Sequence, residues 1–68
     1  MDEDALNLSI RQYLKKVGIT SQREIEKTVR DAVDQGKLGD DDRVKVSVTL
    51  RIDHADTDVV IDGQLKLQ

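Results

Sequence analysis

With 68 residues, the chain has room for one small domain, of a size that removes only about 60% of its unfolded surface from water. It contains no Cys, Phe or Trp, and Tyr13 is its single aromatic; disulfide staples and thiolate chemistry are excluded, and the core falls to Val, Ile and Leu. Acidic and basic side chains interleave to a net charge of −3, a balance that favours solubility over attraction to a polyanion.

The opening MDEDALNLS is acidic and broken by polar residues, unlike the basic start and apolar run of a secretory signal. No segment reaches the roughly 18–20 apolar residues that cross a bilayer. A bacterial-type cytoplasmic protein with no membrane role is the expectation.

Leu6, Ile10, Tyr13, Leu14 and Val17 recur at helical spacing, which predicts an amphipathic helix over about 3–17. Asp2, Glu3 and Asp4 lie at its positive end and Lys15 and Lys16 at its negative end, as the helix dipole favours. Gly18 is expected to stop this helix in a left-handed conformation, with Ile19 folding back on Leu14. In SQRE, Ser21 and Glu24 have capping-box spacing, so a second helix is expected over about 22–35. Its buried stripe is Ile25, Val29, Ala32 and Val33, its wet side carries the pairs Glu26/Arg30 and Lys27/Asp31, and Gly36 ends it.

GKLGDDDR reads as a polar, glycine-containing connector anchored by Leu38. Its acids act as gatekeepers against aggregation of the Val-rich segment that follows. Val44, Val46, Val48, Leu50 and Ile52 alternate with Lys45, Ser47, Thr49, Arg51 and Asp53, the pattern of a half-buried strand over about 43–53. Val59, Ile61, Leu65 and Leu67 repeat it over about 58–67, with Gly63 interrupting the inner row. A loop from His54 to Thr57 sets Ile52 opposite Val59, Leu50 opposite Ile61, Val46 opposite Leu65 and Asp53 opposite Asp58. The resulting expectation is one α+β domain spanning 1–68: a two-helix hairpin followed by an antiparallel β-hairpin (ααββ), with the helices packed on one face of the sheet.

The segment NLSIRQYLKKVGITSQREIEKTVRDAV, with GKL and the hairpin VTLRID…VVIDGQLKL, resembles a family of short uncharacterised proteobacterial proteins with a domain of unknown function. KKVGITSQREIEK is the most specific part. The resemblance covers nearly the whole chain and implies the domain boundaries and a bacterial cytoplasmic setting; it implies no activity, substrate, cofactor or site residue.

Chemistry has one focus, the stretch DHADTD, which sets Asp53, Asp56 and Asp58 around His54. Like charges facing across a hairpin repel, and a divalent cation would relieve them, which makes Asp53, His54, Asp56 and Asp58 candidate ligands of a weak metal site. The spacing matches neither a calcium loop nor a zinc site, and Asp favours turns by accepting backbone hydrogen bonds, so a plain turn is the stronger reading and no metal or other cofactor is expected. Catalysis needs a nucleophile beside a base, or paired carboxylates in a cleft; neither pattern occurs, and the chain is read as no enzyme.

Two helices joined by a turn and followed by a β-hairpin suggest a winged helix-turn-helix. The mixed charges Gln22, Arg23, Glu26, Lys27, Arg30, Asp31 and Asp34, and the acidic hairpin tip, oppose phosphate contact, so nucleic acid is an unlikely partner. The favoured reading is a protein-interaction or self-associating module, because a two-stranded sheet leaves open edges and the core is thin. The expected partner is a second copy, met through a hairpin edge or a helix face, or another protein. Leu8, off the helix stripe, and Lys45, Arg51, Val60 and Gln64 on the outward side of the hairpin are the candidate contact residues.

Overall fold

The computed structural model describes residues 1–68 and consists of a single helix α1 (Glu3–Asp34) followed by strands β1 (Arg43–Ile52) and β2 (Thr57–Lys66). The chain divides into two compact units, Met1–Lys37 and Leu38–Gln68.

In the first unit the expected helical hairpin is replaced by one helix of 32 residues. Gly18, Ile19 and Ser21 all lie inside it, so Gly18 is no stop and Ser21 no cap. Three features carry the helix through. The apolar spacing stays in phase, so that Val17, Ser21, Ile25, Val29 and Ala32 form one half-buried line. A break at Gly18 would create a further set of four unsatisfied N–H and four unsatisfied C=O groups, whereas glycine in a helix interior costs only about 1 kcal/mol. Immediately beyond it, Gln22 donates to Glu26 (3.1 Å) and Arg30 approaches Glu26 at 4.0 Å, four-apart contacts that support continuation. With the inter-helix turn gone, the two-helix premise of the winged-helix comparison goes with it.

The ends of α1 follow the sequence closely. Asp2 is the N-cap, its carboxylate accepting from the Ala5 N–H at 3.1 Å, with Glu3 and Asp4 in the first turn. At the C-terminus Gly36 adopts φ 75°. Its N–H donates to the Val33 carbonyl (3.0 Å) and the Lys37 N–H to the Ala32 carbonyl (2.8 Å), the paired bonds of a Schellman ending.

In the second unit Leu38 is half-buried, and the acidic connector folds into a turn in which the Gly39 N–H donates to Asp42 Oδ2 (2.7 Å) and the Asp42 N–H to the Gly39 carbonyl (3.1 Å). The strands form a two-stranded antiparallel sheet. Their register differs by two residues from the expected one: Leu50 faces Val59, Val48 faces Ile61, Val46 faces Gly63 and Val44 faces Leu65. The shift preserves the inward face, because side chains alternate with period two.

The physical reason lies in the polar face and the turn. The expected register sets Asp53 against Asp58 and Lys45 against Lys66, two like-charge pairs. The observed one places Arg51 opposite Asp58 and leaves a single like-charge pair, Arg43 with Lys66, the better arrangement for directly opposed side chains. The loop becomes Asp53–Asp56, with Ile52 facing Thr57. His54 takes φ 68° and the Ala55 N–H donates to the Ile52 carbonyl at 3.4 Å; a type II turn requires such a positive φ at its third residue.

Candidate interaction surfaces

The hairpin has two chemically distinct faces. Val44, Val46, Val48, Leu50 and Ile52 share one with Val59, Ile61 and Leu65, their cross-strand neighbours. Gly63 opens the inner row, and a Cβ built there would meet Val46 Cγ2 at 3.4 Å, so Val46 fills the space that glycine leaves. Lys45, Arg51, Val60 and Gln64, the candidate contact residues of this unit, fall together on the opposite, polar face, where Lys45 pairs with Gln64, Arg51 with Asp58 and Thr49 with Val60. Val60, 55% exposed, is the one large apolar side chain on that face. A depression of about 560 Å³ lies mid-hairpin, lined by Lys45, Val46, Asp62, Gly63 and Gln64.

At the acidic tip the expected facing of Asp53 and Asp58 is replaced by another pairing. Asp53, His54 and Asp56 occupy the turn, whereas Asp58 lies within β2 and faces Arg51 rather than Asp53. No group of three or more His, Asp or Glu side chains gathers in a geometry able to hold a metal ion. The register sets Asp58 opposite Arg51, so the facing pair of Asp53 and Asp58 that motivated a cation is not formed.

Each unit by itself presents an apolar face that the sequence pattern marks. No residue of the chain is buried. On α1, Leu6 (43% exposed), Ile10, Tyr13 and Leu14 lie open, in line with half-buried Val17, Ile25 and Val29. Leu8 (59% exposed) and Ile19 are also open, and their eleven-residue separation places them together on the other side of the helix. On the hairpin, Val48, Ile52, Val59 and Ile61 remain exposed on the face that the alternation had marked for a core. No helix is long and apolar enough to cross a membrane.

The family of unknown function DUF6494 matches residues 1–68, and the chain belongs to that family. No curated protein and no solved structure matches it.

Proposed function

We propose that this member of the family is a non-enzymatic interaction module, whose two amphipathic units complete their hydrophobic cores against another polypeptide. One observation carries the reading: each unit, taken by itself, presents a continuous apolar face and encloses no side chain. Fully burying a Val, Leu or Ile side chain contributes about 1.5–3 kcal/mol, and an isolated two-stranded hairpin is marginal in water. Helices likewise draw most of their stability from packing of an amphipathic face. Such a chain gains a well-ordered state by association.

The polar chemistry supports a role without catalysis. Ser9 Oγ donates to the Leu6 carbonyl (2.9 Å) and is spent on the helix backbone. Ser21 lies within α1 and Ser47 opposite Asp62 on the sheet, and the one histidine forms the turn. The interaction reading is tested by apolar-dye fluorescence and circular dichroism at low micromolar protein and at rising concentration. Dye binding at the dilute end, falling as unfolding becomes cooperative at the concentrated end, is the expected result. Cooperative unfolding of a monomer that binds no dye at the lowest concentration overturns it.

A further inference from the structure

We propose that the apolar stripe of α1 between Glu3 and Glu24 receives an acidic polypeptide segment, one whose own apolar side chains are flanked by Asp or Glu; the inference rests on the interaction reading and names the chemistry of its partner. Two observations coincide on this part of the helix. From Ala5 to Arg23 the sequence holds four basic side chains, Arg11, Lys15, Lys16 and Arg23, and no acidic one, although acids outnumber bases in the chain as a whole. The one ion pair of the helix, Arg30 with Glu26, lies beyond this stretch, which leaves its four positive charges unpaired. Leu6, Ile10, Tyr13 and Leu14, the exposed bulky members of the stripe, belong to the same stretch, whereas beyond Arg23 the only large apolar side chain of α1 left open is Val33. Uncovered apolar surface and uncompensated positive charge thus occupy the same half of the helix.

The placement of the charges selects the occupant. At about 100° of rotation per residue, Leu6, Ile10, Tyr13, Leu14 and Val17 fall within an arc of roughly 100°. Arg11 stands on one side of that arc and Lys16 and Arg23 on the other, each roughly 100–125° from its middle. From there long basic side chains lay their stems along an apolar contact and keep their charges at its rim. Lys15 is farther round, toward Leu8 and Ile19. Glu3 and Glu24 return to the arc itself, Glu24 in line with Leu6, and these two carboxylates bound what can lie between them. An anionic bilayer or a nucleic acid is negative along its whole extent and would be pressed against both, and a nucleic acid binds chiefly through its phosphates, which give the apolar stripe no cover. A finite polypeptide segment fits, its acids level with Arg11, Lys16 and Arg23 and its apolar side chains on Leu6, Ile10 and Leu14. At about 1.5 Å per residue the interval from Glu3 to Glu24 is roughly 30 Å long, enough for an amphipathic helix of several turns. Opposite charges along the flanks of paired helices choose the partner in this way.

The full chain is titrated into two fluorescently labelled helical peptides of about 18 residues that carry the same leucines on one face, the first flanked by Glu and the second by Lys, and binding is read as anisotropy. The Glu peptide is expected to bind about tenfold tighter than the Lys peptide at low salt, with the gap narrowing at high salt. Leu14→Asp should weaken the Glu peptide's binding several-fold. Arg11→Glu, Lys16→Glu and Arg23→Glu combined should reverse the preference, with circular dichroism showing that the helix is kept. Equal affinity for the two peptides, binding of neither, or a preference that the triple variant leaves unchanged overturns the acidic partner. Displacement of the Glu peptide by vesicles of equal parts phosphatidylcholine and phosphatidylglycerol assigns the stripe to lipid and overturns it as well. Each of these failures leaves the interaction reading standing; that reading fails instead through cooperative unfolding of a dye-silent monomer.

Discussion

Substituting alanine at two glycines of the same helical region separates a continuous helix from a broken one by sign. Gly18 lies in the interior of α1, and a Cβ built there meets nothing within 4 Å. Replacing it therefore introduces no steric cost and removes the entropic penalty of glycine, a gain of about 0.5–1 kcal/mol. Gly36 also has open space around it, but its φ is 75°, a conformation that disfavours L-residues by roughly 1–2 kcal/mol. Gly18→Ala should raise stability and Gly36→Ala lower it. For a chain of 68 residues, 1 kcal/mol corresponds to a shift in Tm of about 4–8 °C, so the two variants should separate by roughly 6–24 °C in circular-dichroism melts at one protein concentration. Mean residue ellipticity at 222 nm should also rise in Gly18→Ala. A loss of stability and ellipticity at both positions would refute the continuous helix, since a left-handed Gly18 resists alanine just as Gly36 does.

Other substitutions probe the caps, the turn and the register. Asp2→Ala removes the carboxylate that accepts from Ala5 and should cost about 1 kcal/mol, read as a lower Tm with unchanged spectra at the hairpin residues. His54 holds φ 68°, so His54→Gly should stabilise the hairpin modestly and His54→Val destabilise it, as measured by amide exchange in β1 and β2. A double-mutant cycle on Arg51→Ala and Asp58→Ala, which face each other across the sheet, should show coupling of about 0.2–1 kcal/mol; zero coupling, with coupling between Asp53 and Asp58 instead, would support the other register. Because no three candidate ligands gather at the tip, zinc ions added to the protein should leave the His54 ring resonances in place.

Much of this architecture was legible in the chain, and its departures have definite causes. The β-hairpin followed from strict alternation, and the helix ends from Asp2 and Gly36, where local hydrogen bonding decides the outcome. The expected break at Gly18 rested on signals that serve two structures. Gly18 with Ile19, and Ser21 with Glu24, fit a stop and restart, yet the apolar phase runs through them from Leu14 to Ile25, and only the longer-range periodicity distinguishes the cases. The register missed by two residues because inward alternation is satisfied equally by either pairing. The polar face decided it, through Arg51 and Asp58, together with the left-handed turn residue His54. The candidate residues Lys45, Arg51, Val60 and Gln64 do share one face. Alternation and helical periodicity identify an apolar face on each unit without saying what covers it.

Whether this chain completes its hydrophobic core by association is decided by thermal unfolding across a protein dilution series with molar mass measured in parallel. Mass action adds about 1.4 kcal/mol to the stability of an associated state for each tenfold rise in partner concentration far above the dissociation constant. Association makes the Tm climb by several degrees per decade of concentration, together with a mass that moves from monomer to dimer. A monomer with one concentration-independent, cooperative Tm from micromolar to millimolar would contradict it.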